Sequence, residues 1–403
     1  MLARLALRSL NRNRRRTALT LFAVAFGTAM VVVAWGFGEG IAQWLVHTAV
    51  SARMGALQVH QAGYLDTMDA NPVAIDFDVV DVAGVDAVAG VAATAPRIKF
   101  AAIVSTGTAS SMVQIEAIDP VRDARVCPDR YPGFLAGGPL TAEMSRAIVL
   151  GAALADSLHV KVGDSVTLMA GTRAGAQNAL DFTIVGVTQG AGFLESKRVA
   201  LTRYADGAEL LQMPGRAHEL AIALTDPDSA ATVKRALSAV VAPRGLEAHT
   251  WQEVAPFMRD AVDRVRIILT GVSLVLFAVV VLGVANTMLM SIFERVREIG
   301  TFLALGMTRA RILRMFVFEA LVLGSAGGVV GGALGAVIVV VMGAVGIDFS
   351  PPGSDVRAVL YPVLLPTVIA GVGAAVVVGA VVASFLPARR ASRLDPVEAL
   401  RAL

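Results

Sequence analysis

Residues able to do chemistry are few in this 403-residue chain, and their spacing excludes most reactions. His47, His60, His159, His218 and His249 are scattered, with neither H-x-x-x-H nor H-E-x-x-H spacing. No metal site is expected of them, only surface or capping positions. The single cysteine, Cys127, lies beside Pro128 in a loop-like stretch, which excludes an internal disulfide framework and a multi-thiolate metal site. An incidental rather than a nucleophilic role is expected of it. No G-x-S-x-G elbow accompanies the serines. Lys99, Lys161, Lys197 and Lys234 are the only lysines, and none follows Gly or precedes Ser or Thr. A Walker A loop needs Gly-Lys-Ser/Thr, so this chain cannot cradle ATP phosphates in that way. The expectation is a non-catalytic chain without metal or cofactor of its own. What remains is a recognition surface. Ile292, Val296, Ile299 and Leu303 recur at steps of 4, 3 and 4, an apolar helical stripe, while Glu294, Arg295, Arg297 and Glu298 occupy the other faces. Leu305 and Gly306 close the segment; Gly306 is expected to break the helix and Thr308 to cap the next. Such a helix suits docking into a groove on another protein. The alternative is a helix lying on the lipid surface, against which its acids argue.

Composition sets the elements that must carry this segment. The chain is 56% hydrophobic and 17% charged, with a mean hydropathy of +0.67. Soluble proteins are roughly a quarter charged, so a soluble cytosolic enzyme, a disordered chain and a nucleic-acid-binding module are excluded. Four runs lack any charge: residues 17–38, 267–293, 320–347 and 358–388. Each exceeds the roughly 20 helical residues that cross a bilayer. Arg4, Arg8, Arg12, Arg14, Arg15 and Arg16 precede the first run, Arg295, Arg297, Arg309, Arg311 and Arg314 fill the second loop, and Arg389, Arg390, Arg393 and Arg401 follow the last. By the positive-inside rule, both termini and that loop are cytoplasmic and residues 39–266 lie outside. The first run continues past a possible cleavage site at Ala23-Val-Ala25, which favours an uncleaved signal anchor over a signal peptide. Gly324, Gly328 and Gly332, and likewise Gly327, Gly331 and Gly335, repeat every fourth residue, as do Ala375, Gly379 and Ala383. Small residues at that spacing let helices approach closely; they are expected to join the third and fourth spans, with a dimer seam as the alternative. Glu319 is expected to be an interfacial acid reaching water or a nearby arginine.

The outside segment has globular texture. Leu57-Gln-Val-His60 alternates as a half-buried strand. Residues 219–224, a helix capped by Asp228 with Val233, Leu237 and Val240 on one face, and residues 246–251 read as β-α-β. Residues 148–169 read as a short helix and two strands joined at Gly163-Asp164, and residues 181–187 as a further strand. Glycine and proline punctuate residues 119–192, so a β-rich insertion inside an α/β unit is expected.

At the charged segment the chain resembles FtsX/MacB-type permeases of ABC transporters. The resemblance lies in Asn286-Thr-Met-Leu-Met-Ser291, Glu294-Arg-Val-Arg-Glu-Ile-Gly300, Ala304-Leu-Gly306, Arg311-Ile-Leu-Arg314 and Phe318-Glu-Ala320. It continues in Pro387-Ala-Arg-Arg-Ala391, Asp395-Pro-Val-Glu-Ala-Leu400, Leu7-Arg-Ser-Leu-Asn-Arg-Asn13 and Arg16-Thr-Ala-Leu-Thr20. It implies a membrane α-helical fold of four transmembrane helices with a large α/β extracytoplasmic domain between helices 1 and 2, comprising a porter-like part and a β-rich insertion. The implied boundaries are 1–46, 47–118, 119–215, 216–262 and 263–403. It also implies a dimer with a second copy or paralogue, in the inner membrane. A cytoplasmic ABC ATPase subunit would hold ATP and Mg and drive the permease through Glu294, Arg295, Arg297, Glu298, Ile299, Gly300, Leu303, Leu305 and Gly306.

Within that family, Gly36-Phe-Gly-Glu-Gly-Ile41 and Gly55-Ala-Leu-Gln-Val-His-Gln-Ala-Gly-Tyr64 look most like the lipoprotein-releasing LolC/LolE-type branch. That branch implies lipoprotein cargo lifted from the outer leaflet to a periplasmic carrier. Burying acyl chains requires an apolar cavity, since each exposed CH₂ costs about 0.8 kcal/mol. Trp35, Phe37, Trp44, Phe257 and Met258 are candidates to line its mouth, with an aromatic interface belt as the alternative. MacB-type efflux and FtsX-like activation of a cell-wall hydrolase are the other family readings, and a non-transport membrane scaffold is a fourth.

Overall fold

The computed structural model describes residues 14–67, 73–130, 133–188, 199–349 and 358–393. They form two units, one holding the apolar helices and the other residues 44–261 with 348–358. The first helix, α1 (Arg14–Ala49), runs from the helical unit into the second and ends in a wide turn, Val50–Met54.

The second unit is organised by one long strand. β1 (Leu57–Gln61) is followed by the short β2 (Phe77–Asp78) and then by β3 (Val91–Ser105). From β3 the chain turns back as β4 (Ser110–Ile118), passes α2 (Pro120–Val126), and enters β5 (Phe134–Gly137) and β6 (Ala147–Gly151). Next come α3 (Ala152–Leu158), β7 (Ser165–Gly171), β8 (Gln177–Thr188), β9 (Val199–Arg203) and α4 (Tyr204–Leu211). β10 (Arg216–Ala217), β11 (Glu219–Leu224), α5 (Ala230–Val241) and β12 (Leu246–Thr250) complete the unit.

β3 serves two layers. Its first half, Val91 to Arg97, pairs with β11, extending the sheet β12-β1-β11-β3. Its second half pairs with β4 on one side and, at Ile103–Ser105, with β7 on the other. The ladders then run β3-β4-β9-β6-β8-β7 and return to β3, a closed ring of six strands with β5 added outside on β8. Closure removes free edges. Alternate residues fill the ring: Phe100, Ala102 and Val104 of β3, Val113, Ile115 and Ala117 of β4, Leu168 of β7, and Phe182 and Ile184 of β8. The expected β-rich insertion is therefore not self-contained, because two ring strands precede residue 119.

The β-α-β reading of residues 219–250 holds with one addition: β1 lies between β11 and β12, antiparallel to both. Val233, Leu237 and Val241 of α5 pack on Leu57, Val59, Leu220 and Ile222. α5 starts after Ser229, whose hydroxyl bonds Asp226 O rather than an amide of the helix; the expected cap by the Asp228 side chain lies outside what is described. Two strand readings need correction. β1 is buried on both faces rather than half-buried, since its polar alternate residues meet a second covering layer. Residues 147–151 form a strand before the helix, and Gly163-Asp164 leads from that helix into β7 rather than joining two strands.

In the helical unit, α1 is joined by α6 (Pro256–Glu294), α7 (Val296–Ala304), α8 (Arg309–Val345) and α9 (Pro366–Ser392). α1, α6, α8 and α9 are long and apolar enough to cross a membrane. The fourth run is not helical throughout: residues 358–365 are extended or irregular and α9 begins at Pro366. Proline suits a first helical position and bars its predecessor from helix, and Leu365 is extended (φ −109°, ψ 99°). The two glycine series separate. Gly324, Gly328 and Gly332 face Ala380, Gly373 and Ile369 of α9, as expected of a seam between the third and fourth spans. Gly327, Gly331 and Gly335 instead face Val24, Ala25, Thr28, Ala29 and Val32 of α1. Residues three apart on a helix sit about 60° apart, so one helix presents two flat ridges to two neighbours.

Candidate functional site

The segment between α6 and α8 is built by a break. The apolar run was expected to continue unbroken past Phe293, but α6 ends at Glu294 and Arg295 leaves the helical region (φ −115°, ψ 14°) before α7. Arg295 pins this corner. Its Nε donates to Glu298 Oε2 at 3.1 Å, its Nη1 lies 3.4 Å from Glu319 Oε2 on α8, and its guanidinium lies over the Phe316 ring at 5.7 Å. Glu319 is buried and reaches an arginine, the partner anticipated for it.

The apolar stripe is already partnered within the chain. Ile292 and Ile299 are buried against Ile312, Met315 and Phe316 of α8 and Ala388 and Ala391 of α9, with Leu303 and Met307 at the edge. Gly300 is buried as well. The apolar stripe therefore packs on the start of α8 and the end of α9, and the charged residues of the segment lie on its other faces. Facing outward are Phe293, Glu294, Arg297, Thr301, Ala304, Leu305 and Gly306. Leu305 is 79% exposed, and Gly306 turns the chain at φ +87°, a region that favours glycine. Thr308 stands at the N-cap of α8 but its side chain makes no capping bond. Glu298 is half-buried and pairs with Arg295.

The candidate cavity residues divide between the two units. Trp35 donates from Nε1 to Ser273 Oγ at 2.9 Å, a bond from α1 to α6 that makes it a packing residue of the helical unit. Phe37, Trp44 and Met258 are half-buried and Phe257 is exposed.

A cluster of buried charge among the described residues went unread in the sequence. On the face of β12-β1-β11-β3 opposite α5, strand alternation aligns His249, Gln58, His60, Glu219 and Arg97; the turn Val50–Met54 meets Gln58 and Arg97, α2 meets Arg97, and Tyr64 stacks on His60. Arg97 is 0% exposed; it donates to Asp123 and Glu219 carboxylates, to Arg53 O, and to Cys127 Sγ at 3.1 Å. Arg130 bonds Asp123 and Glu116 and also Arg53 O, while Lys99 Nζ meets Glu219 Oε2 at 2.5 Å. Arg53, Arg97, Lys99 and Arg130 thus face Glu116, Asp123 and Glu219. Burial would raise Glu116, but Lys99, Arg130, Arg53 and Arg97 outweigh it and hold it at about 2. Burial likewise opposes ionisation of Glu219, and Lys99, His60 and Arg97 pull it well below the carboxylate range. Cys127 follows α2 in a loop, as expected, but is buried and accepts from Arg97 in this cluster. A signal was present: charges inside otherwise apolar strands, alternating in Arg97-Ile-Lys99 and single in Glu219-Leu-Ala-Ile222.

Histidine expectations split. His47 and His159 are exposed, but His60 and His218 are fully buried. His60 stacks on Tyr64 at 4.5 Å, and its Nε2 is 3.7 Å from Glu219 Oε2, too long for a hydrogen bond. His218 accepts the Lys99 amide at Nδ1, so Nε2 carries the proton toward Val73 O. Burial lowers the pKa of His60, His218 and His249 below 6.5. The folded state therefore binds protons less readily than the unfolded chain. Stability is complete above about 6.5 and falls as the pH drops below it, ahead of the carboxylates, whose share is lost from about 4.5 downward. The urea midpoint of the outside unit is expected to fall between pH values of about 7 and about 5, and His218→Gln to flatten that slope. Equal midpoints at both pH values would contradict this.

Four apolar helices, an outward-facing helix between the second and third, and an α/β unit with a closed barrel inserted between the first and second define a membrane permease architecture. Residues 17–240 match the MacB-like periplasmic core domain and residues 270–396 the FtsX-like permease C-terminal domain. The chain belongs to the MacB/FtsX-like family of ABC transporter permeases. Among curated relatives, it is 27% identical over 412 residues to the macrolide export ATP-binding/permease protein MacB of Hyphomonas neptunium, covering 98% of this chain and 60% of that one. It is 28% identical over 401 residues to the pyoverdine export ATP-binding/permease protein PvdT of Pseudomonas putida, covering 96% and 57%. The chain thus spans about 60% of the length of the curated relatives it matches. The periplasmic region of MacB from Actinobacillus actinomycetemcomitans aligns with 53% of this chain and 95% of its own at 10% identity, TM-score 0.37.

Proposed function

We propose that this chain is a permease that converts ATP hydrolysis on a partner ATPase into movement of its extracytoplasmic unit, driving cargo outward from the inner membrane. The carrying observation is the outward face of α7 and the following turn, Arg297, Thr301 and Leu305 beside Glu294, held rigid by Arg295 and by burial of Ile299 in the bundle. A chain without a Gly-Lys-Ser/Thr cradle needs such a surface to receive force. ATP and Mg belong to the ATPase, both termini and α7 to the cytoplasm, and a second copy or paralogue completes the complex.

For cargo, relatives named for macrolide and pyoverdine export support efflux of a small amphipathic molecule. Lipoprotein extraction to a periplasmic carrier is the second reading, carried by the residue 36–64 pattern. Part of that pattern has another cause: a Cβ at Gly36, Gly38 or Gly40 would lie within 2.8 Å of Val339, Leu269 or Tyr361 O, so close packing alone accounts for these glycines. Activation of a wall hydrolase is distinguished by its phenotype. Susceptibility to export substrates on depletion supports the first reading, failure to release acylated lipoprotein from spheroplasts the second, and defective wall hydrolysis alone the third.

Leu305→Glu tests the coupling surface. It places a charge in a docking face without touching the bundle interior, so folding is expected to change by less than about 0.5 kcal/mol. Co-purification of the ATPase and its permease-stimulated turnover are expected to fall at least about tenfold, the loss of roughly 1.4 kcal/mol or more of a hot-spot contact. Full stimulation by Leu305→Glu would refute the assignment.

A further inference from the structure

We infer that Arg97 and Arg130 are positioning residues that lock the outer end of α1 onto the sheet shared by the α/β half and the barrel, so that helix end and domain move as one body. A helix end leaves four carbonyls without intrahelical partners and carries partial negative charge. Here, after Ala49, the chain makes the wide turn Val50–Met54, closed by Gly55 N–H to Val50 O at 2.9 Å. The freed carbonyls are taken by the domain. Arg53 O accepts from Arg97 at 2.7 Å and from Arg130 at 3.0 Å; Met54 O accepts from Gln58 Nε2 at 2.9 Å; Ser51 O accepts the Asp129 amide at 3.2 Å.

The joint continues into both halves of the domain. Arg97 is on β3 at the residue where pairing passes from β11 to β4, and it binds Glu219 of β11. Arg130 binds Glu116 of β4, and both arginines share Asp123 of α2. Gly55 closes the gap: at φ +74°, an added Cβ would lie 2.8 Å from Ile222 O, and the next amide, Ala56 N–H, bonds that same oxygen at 2.8 Å. The helix end, residues 44–49, and the sheet belong to the same unit. Two buried guanidiniums, each with fixed fork geometry, give a stiffer joint than lysines or water-exposed pairs would.

The inference deepens the coupling reading under Proposed function, but its first test needs no ATPase, so the two can fail separately. In the full chain in lipid nanodiscs, spin labels at His47→Cys and Glu247→Cys report the distance from helix end to sheet edge. The expected result is one narrow distance distribution, and Arg130→Gln is expected to broaden it about twofold while the bundle stays intact. A broad distribution in the parent protein, or an unchanged one in Arg130→Gln, overturns the inference. If Arg130→Gln does not fold, amide exchange in the parent decides. Gly55 and Ala56 should exchange within about tenfold of Val59 and Leu220, as members of one cooperative unit; faster exchange overturns the joint. With the ATPase added, a narrow distribution but no ATP-dependent change elsewhere would refute the coupling reading alone.

Discussion

Arg97→Leu is expected to cost the outside unit about 3–5 kcal/mol, the range for removing one partner from a buried ion pair. Arg97 is buried to the point of contacting no solvent, and the Asp123, Glu219 and Cys127 side chains it bonds are themselves buried. Leucine fills much of the space but takes one guanidinium partner from each of Glu219 and Asp123 and one donor from Arg53 O. The cost is the desolvation of carboxylates that have lost their compensation, not the worth of one contact. A second variant separates these causes. Adding Glu219→Gln to Arg97→Leu removes a stranded charge and should recover part of the loss. Urea denaturation of the full chain, followed at Trp251, gives both numbers. A loss below about 1 kcal/mol for Arg97→Leu would mean that water reaches the cluster.

How much of this was legible before the structure depends on the range of the forces involved. The four spans were legible because a bilayer demands long uncharged runs and nothing in a soluble fold imitates them. Their main error, residues 358–365, came from counting apolar residues across Pro362 and Pro366. The β-α-β unit was legible because Val233, Leu237 and residues 219–224 obey local periodicities. The ring was not: nothing in residues 91–105 announces that one strand will pair with β11, β4 and β7, because those partners are up to about 120 residues away and register is a tertiary outcome. The segment between α6 and α8 was half legible. Its stripe and charges were read correctly, but a stripe does not say which surface it meets, and Ile299 meets its own bundle. The buried charges were missed because alternation was scored for apolar residues only. A polar alternation of Gln58-Val-His60 reads as a solvent face unless something covers it, and the covering pieces come from residues 50–54 and 120–126.

Gly331→Val is expected to break the seam between α8 and α1. A Cβ at this position would sit 2.3 Å from Ala25 O and 2.7 Å from Thr28 Cβ. The first obstacle is backbone of a helix, which cannot rotate away as a side chain can. Overpacking of this kind costs about 1–3 kcal/mol where neighbours can yield, and more where they cannot. In a bilayer no hydrophobic force drives the helices back together, so close packing at such ridges carries their association. Gly328→Val is a milder test of the other ridge, since its nearest neighbour, Gly373 O, is 3.6 Å away. Gly283→Val and Gly371→Val, on α6 and α9, are controls: nothing lies within 4 Å of a Cβ at either site. All four variants add the same side chain to an apolar helix, so differences among them report the neighbours alone. In detergent, Gly331→Val should lower the melting temperature of the helical unit well below the parent, Gly328→Val less, and the two controls hardly at all. Equal melting of Gly331→Val and Gly371→Val would remove α1 from this face of α8, and with it the reading of the two glycine series as ridges for two different helices.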